Sequence, residues 1–423
     1  MKAVWRRLAD GRTGLGLPAA ATNERIMSEN AIEMENGGPR PVAPARLAWV
    51  DNVRTTVIVL VVHMHACVTY SHLGSWYTKV GAEPSMTVKL PFLFWQGHLQ
   101  TFFMGVLFFL AGVFAHRSLA RRGPRGFLAE RAVRLGLPTL LYMLLLQPFI
   151  VYVLLGEPHV ANRPSLPAWY ATYLASGRVL SGNGPLWFTL ALLIFSVGLV
   201  VWRALRPPRP PDVHRFGRPP TPMDLLAFGL TLVAVTFLVR LSQPLGTSVL
   251  NLQLCYFPQY IAAFCAGVAA ARLAWFESLS ISFRAQAAGW LGVIGGPMLF
   301  GLVMSLGSKY TAHDFEALRG GWNGAAFGTA AWEQLAGLGL GLGMLALFRH
   351  QCDSGNRLTR WLSDRSFAVY VLHAPVLVSL TAALRPLGFN PFVGTVVLTI
   401  LGLAASFLVA DVARRVPGLR AIL

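Results

Sequence analysis

Acidic residues are scarce in this sequence: 18 Asp and Glu stand against 36 Lys and Arg, and charged residues make up only 13% of the 423 positions. Soluble domains carry roughly a quarter of their residues as charges, so this shortfall excludes an ordinary water-soluble fold. The formal net charge of +18 would suit nucleic acid, yet a nucleic-acid binder gathers Lys and Arg on a folded polar domain. Here they stand in short loops between apolar runs, and no nucleic-acid partner is expected. Cysteine is scarce too. Cys67, Cys255, Cys265 and Cys352 show no Cys-x-x-Cys spacing and three fall inside apolar segments, so all are expected reduced and structural. A phosphate-cradling P-loop, a nucleophile-elbow serine and a dinucleotide fingerprint are missing in context, which removes the common soluble nucleotide and hydrolase sites.

What remains is apolar length. Hydrophobic residues make up 54% of the chain and the mean hydropathy is +0.53. A spanning helix needs roughly 20 apolar residues. Stretches of that size lie near 53–71, 92–115, 135–156, 185–203, 224–242, 256–275, 286–306, 325–348, 366–384 and 394–412. The predicted class is an all-α integral membrane protein, a bundle of about ten transmembrane helices with the lipid bilayer as its solvent. The transmembrane domain is expected over 46–415, between a disordered polar tail at 1–45 and a short tail at 416–423. The first tail has no signal-peptide core, and Met27 and Met34 inside it are alternative starts.

Charge asymmetry predicts the orientation. One set of loops holds Arg46 and Arg54, then Arg117, Arg121, Arg122 and Arg125, then Arg203 to Arg218, Arg272 and Arg284, Arg349 to Arg365, and Arg414, Arg415 and Arg420. The alternate loops are poor in charge, with Arg240 among their few cations. The Arg-rich side, with both termini, is therefore expected in the cytoplasm.

Polar groups at membrane depth are costly enough to be site candidates. In the first span, Arg54 and His65 are eleven helical steps apart, three turns plus about 20°, so they share a face. Asp51 and His72 fall within about 40° of His65, whereas His63 points the opposite way. At 1.5 Å per residue His65 lies about 16 Å beyond Arg54, near the middle of a hydrocarbon core of about 30 Å. The two imidazoles of His63-Met64-His65 point about 200° apart and cannot share an ion, so no metal is expected.

Arg131 and Arg134 open the third span at i and i+3, and planar guanidiniums on one face suit phosphate oxygens; plain positive-inside charge is the blander reading. In the ninth span His373 lies inside the bundle, one turn after Tyr370 and just before Pro375, whose freed carbonyl offers it a structural role. Glu333 is the carboxylate deepest in the apolar runs, able to orient an imidazole or to pair with a buried Arg. Trp187 and Phe188 read as interfacial aromatics first and as acceptor-site walls second. Gly337, Gly339, Gly341 and Gly343 make a small-residue face for close helix approach.

Together, Arg54 with His65, Arg131-x-x-Arg134, Leu186-Trp187-Phe188 and Ser366 to Pro375 resemble the acyltransferase 3 family over about residues 46–415. Gln259 to Phe264 with Gly267, and Trp332-Glu333, resemble the glucan-modifying branch that includes glucans biosynthesis protein C. The resemblance implies a membrane O-acyltransferase, in the bacterial inner membrane, that moves an acyl group of the acetyl or succinyl class from cytoplasmic acyl-CoA to a hydroxyl of a carbohydrate or other acceptor. Arg131 and Arg134, with Arg54, would then hold the donor's phosphates. His65, with Asp51 and Glu333 in support, would act as general base or as nucleophile; His373, Tyr370, Trp187 and His72 would border the acceptor or hold the structure. No bound cofactor is implied beyond the donor. The chain ends at Leu423, so the hydrolase-like domain fused to some members is not expected, and transfer would be completed within the membrane domain. The competing class is a proton-coupled transporter or flippase using the same Arg, His and Glu groups, although the halves show no self-similarity. The acyl group, the acceptor and the oligomeric state stay open.

Overall fold

Inside hydrocarbon every backbone N–H and C=O must find its partner within the protein, and apolar segments of this length meet that demand as helices. The computed structural model describes residues 47–423 apart from 158, 160–161, 207–218, 277, 279–281 and 311–315. The expected tail at 1–45 and the loop residues Arg209, Arg215, Arg218 and Asp314 lie outside the described residues. The helices are α1 (Ala48–Ser71), α2 (Met86–Arg131), α3 (Leu137–Leu141), α4 (Leu166–Ala175), α5 (Trp187–Leu205), α6 (Pro222–Val239), α7 (Phe257–Arg272), α8 (Phe283–Tyr310), α9 (Glu316–Arg319), α10 (Gly324–Gln351), α11 (Arg357–Leu384), α12 (Pro391–Ala413) and α13 (Leu419–Ile422). Around α3, π-helical turns at Ala132–Gly136, Tyr142–Leu146 and Phe149–Leu154 carry the run onward from α2.

Nine helical runs among the described residues are long and apolar enough to cross a bilayer, and one of them, Met86–Leu154, has 69 residues. At 1.5 Å per residue it would extend about 100 Å if straight, three times a hydrocarbon core. It is not straight. Gly123 has φ +70° and ψ 172°, and the following Pro124 cannot continue an α-helix through that point. The chain doubles back there, because Ser118 Oγ donates to Glu130 Oε2 at 3.0 Å and Arg122 Nε lies 3.2 Å from the same oxygen. The run therefore supplies two legs, each long enough to cross, and counted so the nine runs would give the ten spans expected from the apolar pattern. An even number of crossings would put Ala48 and Ala413 on the same side. Reporter fusions after Arg121 and Gly355 should register in the cytoplasm, and fusions after Val80 and Thr247 on the opposite side; one reversed signal breaks this topology.

Close packing rests on small residues. Cβ atoms built on Gly112 and Gly267 would collide with the backbones of Phe264 and Phe109, so α2 and α7 cross with their main chains in contact. The α10 glycines divide between two neighbours: Gly339 and Gly343 meet Gly292 and Gly289 of α8, whereas Gly337 meets the Thr101 carbonyl and Gly341 meets Val106, both of α2. Without a hydrophobic gain between helices in lipid, such close approach supplies much of the association. Trp290, Leu291 and Met298 on α8 are exposed, as lipid-facing side chains should be. The main buried cluster joins α1, α11, α12 and the π-helical run through residues such as Val62, Tyr142, Val371, Leu377 and Leu398.

Candidate functional site

Three connections fold back toward the bundle and line one end of a cavity of about 490 Å³. The first joins α1 to α2. His72 has φ +60°, just past the end of the helix at Ser71, and its Nε2 donates to the Val80 carbonyl at 3.1 Å, while Val80 N–H donates to Thr69 O at 3.0 Å. This tie turns Trp76 and Tyr77 inward to the cavity wall. The expectation that His72 shares the face of His65 fails for this reason: helical phase ends at Ser71, and His72 fastens the loop. The second connection, before α5, holds Gly184 at φ +47°, where a Cβ would strike the hydroxyls of Tyr77 and Tyr142. The third precedes α7. Asn251 there donates to Asn183 Oδ1 at 2.6 Å and to Gly184 O at 2.9 Å, pinning the second and third connections together.

Tyr77 sits in a phenol and amide network. Its hydroxyl lies 2.9 Å from Tyr142 Oη and donates to Gln147 Oε1. Burial pushes the Tyr77 phenol above its ordinary range, so it serves as a donor and not as a base. Other walls are Gln96, Gln100, Trp187, Tyr256, Tyr260 and Tyr370. Gln100 donates to Tyr260 Oη at 3.1 Å, Trp187 stacks on Tyr260 with centroids 5.6 Å apart, and Tyr370 donates to Pro185 O. Among the described lining residues there is no Asp, Glu, Lys or Arg, and His65 is the one imidazole.

The environment of His65 is specific. Its ring lies nearly parallel to Trp76, with centroids 3.7 Å apart, and to His373 at 5.3 Å, and Trp76 and His373 are themselves 6.0 Å apart, so the three rings form one cluster. His373 is fully buried and its Nδ1 lies 2.8 Å from the Tyr370 carbonyl, an acceptor, so that nitrogen carries the proton and Nε2 holds the lone pair. His373 Nε2, His65 Nδ1 and Trp76 Nε1 are buried and have no hydrogen-bond partner among the described residues. Other buried polar atoms of the chain also lack partners, but here three of them gather beside one cavity, where they can receive a hydrogen-bonding group. His63, two residues from His65, is satisfied instead: Trp95 Nε1 donates to its Nε2 at 2.8 Å, and its Nδ1 meets Thr399 Oγ1 at 3.0 Å. The opposite facing predicted for the two histidines holds.

Arg54 and Asp51 stand at the far end of α1. Their side chains lie 3.9 Å apart, and Arg54 is 55% exposed. About 16 Å of helix separates Arg54 from His65 and about 21 Å separates Asp51 from it, which takes both out of contact with any atom that His65 touches. They belong instead to a second cluster. Glu130 sits between Arg122 and Arg134, 3.4 Å from Arg134 Nη1, and Arg54, Arg122 and Arg134 are electrostatic neighbours of Arg131. Arg131 and Arg134 were expected on one α-helical face. The π-helical turn that begins at Ala132 rotates less per residue and separates them: Arg131 packs over Phe127 at 5.1 Å with its Nε buried, whereas Arg134 is 69% exposed.

Among the described residues, Glu333 meets no imidazole. Its carboxylate pairs with Arg240 Nη2, with Glu333 3% and Arg240 1% exposed, and the Arg240 guanidinium lies 5.6 Å from the Tyr256 ring. Arg240, expected as a loop charge, is thus a buried cation behind the cavity wall. Of the two roles open to Glu333, pairing with a buried Arg is the one observed, and it sets Glu333 in the frame behind the cavity.

Sequence reasoning anticipated His65, His373, Tyr370 and Trp187, and the structure assembles all four at one place. It missed Trp76, Tyr77, Gln96, Gln100 and Gln147. Of these, the one signal in the sequence is Trp76-Tyr77 in the short loop between two spans. Residues 47–411 match a family model described as an acyltransferase domain. No curated protein and no solved structure matches.

Proposed function

The chain belongs to the acyltransferase 3 family, and from that premise we propose that it carries an acyl group from acyl-CoA, engaged at the arginine cluster, to a hydroxyl of a glycan or similar acceptor received in the His65 cavity. It is a multi-pass membrane acyltransferase acting on groups other than aminoacyl; the donor, the acceptor and a bacterial inner membrane are the proposed parts. The observation that carries the proposal is the stacked His65 ring, an imidazole with an unpartnered nitrogen in an uncharged cavity walled by aromatic rings and amides. Stacking faces and amide hydrogen bonds suit a neutral polyol.

The chemistry follows from the groups present. Arg54, Arg122, Arg131 and Arg134 supply guanidiniums for the phosphates of CoA, with Glu130 holding the forks apart until phosphate oxygens replace it. At the cavity, neutral His65 takes the proton from the acceptor hydroxyl as its oxygen attacks the thioester carbon. The C–S bond then breaks, and the CoA sulfur recovers the proton from His65. Trp76 stacks on one face of the imidazole and His373 lies close beside it, so its plane is set before the acceptor arrives.

Detergent-purified protein should release free CoA from acetyl-CoA at a rate that rises when acceptor is added. CoA release indifferent to acceptor, or acceptor movement without acylation, favours transport instead. Arg131→Ala and Arg134→Ala should each weaken CoA binding about tenfold or more while leaving folded protein, and Lys at 134 should restore it poorly because an ammonium lacks the bidentate fork. Calorimetric titration of CoA checks this. Full recovery by Lys reduces the pair to topology charge.

A further inference from the structure

A second concave site lies away from the cavity, where the start of α11, the end of α12 and α13 meet. Its volume is about 690 Å³, and Arg365, Asp411, Arg414, Arg415 and Arg420 line it, with Asp364 at the edge. We propose that this pocket binds a phosphate ester.

The charges do not cancel. Asp411 is claimed by two cations: Arg365 Nε lies 2.6 Å from its Oδ1 and Arg415 Nη2 2.5 Å from its Oδ2. Its carboxylate bridges the two guanidiniums and keeps both arginines in place. Arg414 turns inward. Its Nη1 donates to the Asp364 carbonyl, and its Nε is buried with no partner among the described residues. Arg420 projects into the same pocket from α13. Four arginines thus face two aspartates, which leaves two positive charges and an oriented, unused N–H donor.

Positive-inside charge alone predicts none of this construction. Topology signals need only sit in a loop; here the positions are built. Arg365 is laid over the Trp361 ring at 4.3 Å and its Nη1 donates to the Trp361 carbonyl at 3.0 Å. Gly418, at φ +88°, turns the chain into α13, and Leu423 packs on the buried cluster that contains Phe407. That docking holds Arg420 against the end of α12. Planar guanidiniums converging from three helices fit the oxygens of a tetrahedral phosphate. The pocket lies at the end of two spanning helices, the level at which a bilayer presents lipid phosphates. A phosphate diester of an anionic lipid headgroup and a soluble phosphate share this chemistry.

The test is binding by the purified full-length protein in neutral detergent, read by native mass spectrometry and by thermal shift. The probes are phosphatidylglycerol, phosphatidylcholine and inorganic phosphate. Retained phosphatidylglycerol adducts with little phosphatidylcholine support a lipid source. Stabilisation by inorganic phosphate that displaces the lipid supports a soluble one. In either case the Arg414→Gln, Arg420→Gln double variant should bind the probe about tenfold more weakly, since two of the cations that meet the phosphate are removed. Arg420→Gln alone, at an exposed position, keeps the test interpretable if the double variant folds poorly. Equal binding by wild type and Arg420→Gln, or no binding of any probe, overturns the proposal.

Discussion

Replacing His65 by alanine is expected to lower acyl transfer by at least about two orders of magnitude, the usual contribution of a general base, and to abolish it if the imidazole is the nucleophile. His65→Gln should fail as well, because an amide supplies hydrogen bonds but no basic nitrogen. The control lies two residues away. His63→Ala should retain most of its activity, since His63 faces Trp95 and Thr399 and not the cavity. It does lose hydrogen bonds to Trp95, Thr399 and Cys67, each worth about 1 kcal/mol or less, so turnover must be expressed per folded protein after gel filtration. Equal activity of the two alanine variants would remove His65 from the reaction. A single turnover with labelled acyl-CoA and no acceptor separates the two roles: label held on the protein supports the covalent route, and its absence supports the base.

The second large effect concerns stability. Glu333→Ala leaves Arg240 charged, almost wholly buried and without its carboxylate, and breaking such a pair costs about 3–5 kcal/mol. Replacing both residues by methionine removes the uncompensated charge, so Arg240→Met with Glu333→Met should unfold closer to wild type than Glu333→Ala does. Because the guanidinium lies against Tyr256, a wall of the cavity, the double variant should also show a raised KM for acceptor with a smaller change in kcat. Thermal unfolding in detergent and steady-state kinetics check the two statements. A double variant as unstable as Glu333→Ala would mean that the site needs the ions themselves.

The positions of the spans were legible because a bilayer imposes a length. The apolar run read at 224–242 is Pro222–Val239, and the one read at 394–412 is Pro391–Ala413. The facing of His65 against His63 was legible for a related reason, since helical phase is fixed by residue count. Phase fails where the helix changes. His72 lies past the end of α1, and the π-helical turn after Arg131 separates two arginines that α geometry would align. Partners distant in the chain were not legible at all. Arg240 and Glu333 are 93 residues apart, and the stack of His65 on His373 joins the first span to the ninth. Only the packing of helices brings such groups together. The inward loop with Trp76 was hidden for another reason: its conformation rests on hydrogen bonds such as His72 to Val80, which no apolar periodicity reports.

The central claim is that an acyl group passes between a donor end at Arg131 and an acceptor cavity at His65, through one membrane domain. Proteoliposomes of uniform orientation test it most directly, with labelled acetyl-CoA supplied only on the side of the arginine cluster and a polyol acceptor enclosed only on the other. The account predicts labelled ester on the enclosed acceptor and free CoA remaining on the donor side, with neither product formed by His65→Ala. Ester formed only when donor and acceptor share a side, or labelled CoA found inside the vesicles, would contradict it.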